Sequence, residues 1–258
     1  MNWNITSTAT VLGDPSPNGE GFSILAKAVK LTPNMSGEIV KSQLIFDIAY
    51  AGNRAADLAP KMVKNTRIAF EGSFYGNQYG GPIIRDNEDG TPYTMFFIHA
   101  SDIRIIGHAP KKPVEGQVDE DITTVLLVGN LGREPEMRFT PDGTAVTQSS
   151  IAVNRVYGPR DSRTTETVWF RINIWREGAE IANNLWHKGT KLLVKLLLRA
   201  DETGAPQIYM RNTDGLPAAQ YEGTVVGWEF AASKKDGGSA PLPSEERSIE
   251  SDDEGIPF

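Results

Sequence analysis

The sequence contains no cysteine, and its three histidines, His99, His108 and His187, are widely separated. The missing thiols exclude a disulfide framework and a cysteine-ligated metal site. The histidines do not have the spacing of metal ligands, and no phosphate-binding Gly-x-x-x-x-Gly-Lys-Ser/Thr loop occurs. We therefore expect a protein that is not an enzyme and that carries no metal ion and no cofactor.

Long hydrophobic runs are also absent. The longest apolar stretch, residues 192–198, is interrupted by Lys195, whereas a membrane-spanning helix needs about 20 predominantly apolar residues. The first residues lack the basic and apolar regions of a secretory signal. These features predict a cytoplasmic protein.

Positive charge is scarce overall, with 26 basic against 33 acidic residues and a net charge of -7. The acid is distributed unevenly: residues 236–258 contain seven acidic residues and one basic residue, whereas residues 122–235 contain 14 basic and 12 acidic residues. Because most of the acid is segregated on a short C-terminal segment, the net charge does not exclude DNA binding.

A length of 258 residues favours two domains rather than one. Residues 108–121 are rich in proline, glycine and charge, and residues from 232 onward are rich in serine, glycine, proline and charge. We predict a first domain over residues 1–107, a linker over 108–121, a second domain over 122–231 and a disordered acidic tail over 232–258.

The second domain shows the pattern of a small β-barrel. Residues 124–128, 145–153, 168–175 and 191–198 are rich in β-branched or aromatic residues and are separated by Gly, Pro and Asp. Residues 179–187 have helical apolar spacing. Three strands, a helix and further strands are the order of elements in an OB fold, a partly open Greek-key barrel.

Internal similarity extends this prediction to the first domain. Residues 83–92 reappear with small gaps as residues 208–217, and residues 46–50 resemble residues 170–174 in the same order. Chance similarity of short β segments is the alternative interpretation. We predict an all-β protein of two tandem OB folds, five-stranded Greek-key barrels with one short helix each, of which the first is degenerate.

Four segments of the second domain resemble the bacterial and phage single-stranded DNA-binding protein family. They are residues 125–138, residues 141–146, Trp169-Phe170-Arg171 and residues 187–190. The resemblance covers about residues 123–230. It implies sequence-independent binding and protection of single-stranded DNA during replication, recombination and repair. It also implies association with the nucleoid and a homodimer that presents four OB folds.

Strand periodicity selects the central candidates for DNA contact. In residues 168–175, alternation places Phe170 with the core and turns Trp169, Arg171 and Trp175 outward. Single-strand binding needs aromatic faces for the bases and cations for the phosphates. We predict that these three outward residues bind DNA; in the alternative interpretation, the tryptophans cover a neighbouring subunit or the tail.

Further DNA contacts are predicted from the resemblance and from position in loops. Tyr157 aligns with a family aromatic near a hairpin tip, although a solvated turn would have a similar composition. The aromatic that the family places after the strand ending at Arg199 is missing, and Tyr209 is its candidate substitute. The remaining predicted contacts are basic: Arg138, Arg155, Arg160 and Lys188.

The first domain lacks the outward tryptophans. The repeat alignment gives the first-domain counterparts of the outward side of residues 168–175. Opposite Trp169, Arg171, Asn173 and Trp175 it places, in that order, Ile45, Asp47, Ala49 and Ala51. Tyr75 and Tyr79 lie in a glycine-rich loop and either turn onto bases or pack on their own barrel. We predict that this domain binds DNA weakly or in a different way.

The last seven residues also resemble the family, whose C-terminal tip is acidic and ends in Ile-Pro-Phe. An apolar pocket of a partner accommodates such an aromatic end while basic side chains meet the acids. We predict that the tip binds replication and repair proteins, through Asp252, Asp253, Glu254, Ile256, Pro257 and Phe258. In a rival interpretation the protein is mainly a replication or recombination scaffold, and DNA binding is secondary.

Overall fold

The computed structural model describes residues 4–33, 39–109, 120–157 and 162–231. Strand residues in it alternate between buried and more exposed, as in β5 (Thr66–Phe74), where every second side chain is buried. This period of two is what the apolar alternation of the sequence requires of a half-buried strand. The described part of the chain is therefore dominated by β-structure.

The described residues of the first repeat form eight strands and one short helix. Besides β5, they are β1 (Ile5–Val11), β2 (Ser16–Asn18), β3 (Gly21–Pro33), β4 (Ile39–Tyr50), α1 (Ala55–Leu58), β6 (Arg85–Asp86), β7 (Pro92–Tyr93) and β8 (Phe96–His108). A 3-10 turn (Ala59–Lys61) follows α1.

The second repeat has the same order of elements. They are β9 (Thr123–Leu131), β10 (Glu136–Phe139), β11 (Ala145–Tyr157), β12 (Thr164–Trp175), α2 (Glu177–Leu185), β13 (Lys191–Leu198), β14 (Ile208–Met210), β15 (Pro217–Ala219) and β16 (Tyr221–Phe230).

Each repeat closes into a five-stranded barrel. In the first, β1, β3, β4, β8 and β5 form the ring, and in the second β9, β11, β12, β16 and β13 do so. One parallel pair occurs in each ring, β4 with β8 and β12 with β16. The predicted all-β fold of two OB barrels is confirmed. The tail predicted over residues 232–258 lies outside the described residues.

The strand register shows that the repeats are equivalent residue by residue. Phe46 pairs with Ala26 and Phe96, and Phe170 occupies the same place between Ile151 and Tyr221. This is the alignment that the sequence similarity of residues 46–50 and 170–174 predicts. Positions in one barrel can therefore be compared directly with positions in the other.

The two barrels are joined through one strand pair. β1 runs antiparallel to β9, with Ile5 opposite Val125 and Thr6 opposite Thr124, so that a single twelve-stranded sheet crosses both repeats. Val11 pairs with Ala26 as Leu131 pairs with Ile151, which makes Ile5 and Val125 equivalent positions. Each strand therefore pairs with its own counterpart, in the manner of a local twofold axis.

An aromatic cluster continues the core from one barrel into the other. The ring of Phe74 from β5 lies 5.1 Å from Phe170 and 5.3 Å from Tyr221, measured between centroids. Tyr221 is fully buried and donates a hydrogen bond to the Tyr75 carbonyl at 2.7 Å. Because edge-to-face contacts of this kind stabilise packing beyond simple area burial, the barrels share a hydrophobic core as well as a sheet.

A buried carboxylate fixes the residues just before β9 against the first barrel. Asp121 is 3% exposed. Its carboxylate forms an ion pair with Arg67 at 2.8 Å and accepts hydrogen bonds from the Thr8 hydroxyl at 2.7 Å and the Val29 amide at 2.8 Å. Three partners compensate for the loss of hydration of the charge.

Replacement of Asp121 by Ala should lower the free energy of unfolding by about 3 kcal/mol, because it leaves the Arg67 guanidinium unpaired in a largely buried place. Urea denaturation followed by circular dichroism measures this loss. Glu120→Ala is the control, since among the described residues the Glu120 carboxylate accepts one long, exposed bond, from the Leu31 amide at 3.4 Å. Equal losses in the two variants would contradict the assigned role of Asp121.

Candidate nucleic-acid interface

The outer face of β12 carries the side chains that strand periodicity predicts. Val168, Phe170, Ile172 and Ile174 are buried in the core, and Trp169, Arg171, Asn173 and Trp175 alternate with them. Trp175 is 40% exposed and Trp169 is half-buried. At about 3.3 Å per residue the two indoles are roughly 20 Å apart along the strand.

The middle of this face is a hydrogen-bonded row. The Gln148 amide donates to the Asn173 carbonyl oxygen at 2.8 Å, and the Asn173 amide donates to Glu222 at 2.8 Å. Arg199 also pairs with Glu222, at 3.0 Å. These bonds fix Asn173, which is 5% exposed, so it acts as a rigid support between the two tryptophans.

Arg171 has a hydrogen-bond donor that no described residue satisfies. It lies between Ser150 and Glu222 in the strand register, and its Nε atom is buried without a hydrogen-bond partner among the described residues. An unsatisfied buried donor costs roughly 1–3 kcal/mol. An acceptor such as a phosphate oxygen would remove that cost, which suits the predicted role of Arg171.

Arg138 lies two strands away from Trp175 in the same row. Arg138 pairs with Val146 in the β10–β11 ladder, and Val146 pairs with Trp175 in the β11–β12 ladder. The guanidinium of Arg138 is bound to Glu136 at 2.7 Å, with both side chains more than half exposed. Because exposed ion pairs contribute little, this contact does not prevent Arg138 from binding a phosphate.

Trp169 is held against a loop of the first repeat. Its amide donates to the Gly80 carbonyl at 2.9 Å. A Cβ atom at Gly80 would lie 2.7 Å from Cδ1 of Trp169, and one at Gly132 would lie 2.8 Å from the far edge of the indole. Gly80 also has a φ of 78°, so glycine is required here for backbone conformation and for close approach. We call residues 75–84 the Tyr79 loop.

A cleft of about 510 Å³ opens between the Tyr79 loop and the second barrel. Tyr79 and Tyr209 lie on it with 74% and 44% of their surfaces exposed, and Trp169 and Arg211 complete its wall. Within the described residues, neither these three aromatic rings nor that of Trp175 pairs with another ring. The exposed surfaces of Tyr79, Tyr209 and Trp175 are therefore available to a ligand, whereas Trp169 is half-buried and only its uncovered part can be reached.

Tyr75 and Arg155 lie elsewhere. The Tyr75 ring packs 4.0 Å from the His99 ring and 5.6 Å from Phe97, between centroids. Burial, helped by the Asp47 carboxylate, raises the pKa of Tyr75 to about 12. Arg155 forms an ion pair with Glu166 at 3.6 Å and lines a pocket with His99, whose pKa burial and the Arg155 charge lower to about 4. Neither residue shares the Trp169 face.

The equivalent place in the first repeat has different chemistry. Ile45 and Asp47 occupy the positions of Trp169 and Arg171. Asp47 is 5% exposed and pairs with Arg85 at 3.0 Å; burial raises its pKa and the Arg85 charge opposes that rise. Arg85 also lies over the Phe97 ring at 5.0 Å. At this place in the first repeat, the basic side chain of Arg85 is thus bound to a carboxylate of the protein itself.

Of the remaining predicted contacts, Lys188 is described, Tyr157 is described in its backbone only, and the others lie outside the described residues. Lys188 is exposed in the turn after α2, close to the end of β9 because the Gly189 amide donates to the Leu131 carbonyl at 2.7 Å. Tyr157 ends β11, and its side chain lies outside the description. Arg160 and the tip residues 252–258 also lie outside the described residues.

Sequence reasoning missed Arg211, Gln220 and the glycines that surround Trp169. Arg211 and Gln220 lie on the cleft, and Arg211 Nε and Gln220 Oε1 are buried without a partner in the described parts of the chain. In the sequence, the glycine-rich composition of the Tyr79 loop is the one feature that indicates a close contact of this loop. It did not reveal which strand the loop contacts.

The described residues offer neither a metal site nor a membrane-spanning helix. Residues 4–33, 39–109, 120–157 and 162–231 contain no group of three or more His, Asp or Glu side chains placed to hold a metal ion. Over the same residues, no helix has the length and apolar character that crossing a membrane requires.

Sequence comparison matches part of the chain to known proteins. Residues 122–207 match the model of the single-strand binding protein family. A single-stranded DNA-binding protein of Wolinella succinogenes is 31% identical over 158 residues, which are 52% of this chain and 98% of that protein. One from Mycobacterium bovis is 31% identical over 140 residues, 51% of this chain and 85% of that protein.

Structural comparison extends the similarity to both repeats. The crystal structure of a deletion mutant of the single-stranded DNA binding protein from Thermus aquaticus has a TM-score of 0.58 at 22% identity, covering 90% of this chain and 96% of that one. The wild-type protein has a TM-score of 0.56 at 21% identity, covering 92% and 96%. At this identity the likeness shows the shared fold.

Proposed function

The chain belongs to the single-strand binding protein family, and on that premise we propose that it binds single-stranded DNA without sequence preference along the outer face of β11 and β12. The observation that carries the proposal is the pair of tryptophans, Trp169 and Trp175, whose rings have no aromatic partner in the described structure and which flank the unpartnered Nε of Arg171. The bound strand would be protected during replication, recombination and repair.

In this proposal, aromatic side chains bind the bases by stacking and basic side chains bind the phosphates. Each base stacked on an aromatic side chain contributes about 1–3 kcal/mol and does so for any base. The basic residues Arg138, Arg171 and Lys188 follow the phosphates on the outer face. The β11–β12 hairpin, with Tyr157, Arg155 and Arg160, is proposed from the family resemblance to contact the strand beyond that face. Tyr75 contributes by packing, because its ring already lies against His99 and Phe97.

The C-terminal tip is proposed to recruit replication and repair proteins to the DNA in the cytoplasm, on the nucleoid. The support is chemical: residues 252–254 are acidic, and Ile256, Pro257 and Phe258 follow them. An apolar pocket with a basic rim on a partner would complement both parts. The proline limits the conformational entropy that the tip loses on binding.

A homodimer is proposed from the outer face of the second barrel. Leu126 and Val128 of β9 are 44% and 48% exposed. Leu193 pairs with Val128, and Leu197 lies further along β13 on the same side. Adjacent exposed apolar side chains of this kind mark interaction surfaces. A second copy that covers them would present four OB folds.

Titration with oligo-dT, followed by tryptophan fluorescence, tests DNA binding. We expect quenching at low salt, and the logarithm of the binding constant should fall by about 0.7 per neutralised phosphate as the logarithm of the salt concentration rises. Replacing Trp169 and Trp175 together by Ala should weaken binding at least about thirtyfold, since two lost stacks are worth about 2–6 kcal/mol. The double variant Tyr75→Ala, Tyr79→Ala should lose less. Absence of quenching in the wild-type chain would refute DNA binding, and equal losses would refute the dominance of the two tryptophans.

Deletion of residues 252–258 tests the tip. The shortened chain should no longer retain replication and repair proteins in a pull-down from a nuclease-treated bacterial lysate, and its affinity for oligo-dT should be unchanged or slightly higher. Phe258→Ala should reproduce the loss, whereas Ser248→Ala, outside the tip, should not. Retention of partners by the deleted chain would refute the assigned role. If the wild-type chain retained partners but failed to bind oligo-dT, the scaffold interpretation would replace the main proposal.

Sedimentation analysis tests the dimer. The wild-type chain should sediment as a dimer, and Val128→Asp should shift it to a monomer because a buried unpaired carboxylate would oppose association. Ile181→Asp is the control, since Ile181 is similarly exposed, at 50%, but lies on α2. A monomeric wild-type chain, or a dimer insensitive to Val128→Asp, would be contrary to this interface.

A further inference from the structure

Each repeat places a loop against the binding strand of the other. The Trp169 amide of β12 donates to the Gly80 carbonyl at 2.9 Å, and the Ile45 amide of β4 donates to the Gly204 carbonyl at 2.8 Å. Ile45 and Trp169 are equivalent in the strand register. Both glycines lie six residues after the end of the preceding strand, β5 or β13. The exchange is therefore reciprocal.

This exchange forms two clefts of similar size but unlike chemistry. In the second barrel, the cleft of about 510 Å³ has Trp169 and Tyr209 on its wall, and the first repeat contributes Tyr79. In the first barrel, the cleft of about 550 Å³ has Ile45 and the Asp47–Arg85 pair, and the second repeat contributes Thr203. Three aromatic side chains thus line the cleft of the second barrel, to which both repeats contribute, whereas the cleft of the first barrel has Tyr93.

Two unpartnered polar atoms indicate what this cleft recognises. Within the described residues, Arg211 Nε and Gln220 Oε1 are buried and make no hydrogen bond. Arg211 Nε needs an acceptor and Gln220 Oε1 needs a donor. A phosphate group at neutral pH mainly accepts, whereas the edge of a nucleobase offers donors and acceptors side by side. The volume also falls in the usual range of small-molecule sites, about 300–1,000 Å³.

We propose that the cleft between the Tyr79 loop, β12 and β14 is a nucleotide subsite in which one base of the bound strand lies among Trp169, Tyr79 and Tyr209 and meets Arg211 and Gln220 with its edge. The inference rests on the proposed single-stranded DNA binding and specifies part of its site. The first repeat then contributes to binding through the other barrel: it has Ile45 at the position of Trp169, but it completes the subsite of its neighbour.

Tyr79 gives the first test, by oligo-dT titration of the full-length chain. Tyr79→Ala should weaken binding about tenfold, as expected for the loss of one stacked base, and Tyr79→Phe should restore most of the affinity because the ring is kept. Thr203→Ala, at the equivalent position of the other exchanged loop, should bind as the wild type does. Since Tyr79 is 74% exposed, its removal should leave the fold intact, which circular dichroism checks.

Gly80 gives a second test, in which the Tyr79 loop changes its position while the Tyr79 side chain itself is not substituted. In Gly80→Ala, the new Cβ would overlap the Thr167 carbonyl and crowd Trp169, so the loop should move away and affinity should fall as in Tyr79→Ala. Gly90→Ala is the matched control: φ is 80° at Gly90 and 78° at Gly80, but a Cβ at Gly90 meets nothing within 4 Å. Both variants therefore carry the same backbone strain.

The outcomes separate the subsite from the function on which it rests. A wild-type chain that fails to quench with oligo-dT overturns DNA binding itself. A wild-type chain that binds, with Tyr79→Ala indistinguishable from Thr203→Ala, overturns the subsite and leaves DNA binding intact. If Gly80→Ala does not fold, Tyr79→Ala alone decides between these results.

Discussion

The antiparallel pairing of β1 with β9 is the constraint on which the rest of the molecule depends. It joins two closed barrels into one twelve-stranded sheet and sets them about a local twofold axis, with Ile5 opposite its counterpart Val125. The shared aromatic cluster around Tyr221 follows from this placement, because Phe74 and Phe170 meet only when the barrels are joined in this way. The reciprocal contacts at Gly80 and Gly204 also require it.

Within this symmetric frame the two repeats differ in chemistry. Asp47 stands where the second repeat has Arg171, and its charge is balanced by the partly exposed Arg85 at 3.0 Å. An acidic group on this face opposes a polyanion, whereas Arg171, whose Nε has no partner among the described residues, favours one. The asymmetry concentrates the proposed grip in the second repeat, while the first repeat provides half of the shared core and the Tyr79 loop.

Much of this organisation could be predicted from the sequence, and the limit has a physical cause. The alternation of inward and outward side chains along a β-strand is a local property of the chain. It therefore correctly assigned Phe170 to the core and Trp169 and Trp175 to the outer face of β12. The repeat was visible because corresponding strands keep similar residues. Contacts between the repeats have no such signature: Trp169 and Gly80 are far apart in sequence, and nothing near either residue specifies the other.

The two tyrosines of the Tyr79 loop illustrate the same limit. Tyr75 and Tyr79 are four residues apart in one glycine-rich segment, and the sequence treats them alike. In the structure, Tyr75 is still close to the end of β5 and packs on His99, whereas Tyr79 has passed the turn and faces the second barrel. Which aromatic is open to a ligand is decided by the position of a neighbouring barrel, and that position is a long-range property of the chain.

Covalent connection of β1 and β9 in one polypeptide has a consequence for how this joint behaves. In a pair of separate identical chains, a twofold contact weakens on dilution, and every substitution appears on both sides of the axis. Here the two partners are tethered, so their pairing does not depend on protein concentration. Each side can also change by itself, which allows one barrel to lose its aromatic platform without altering the other.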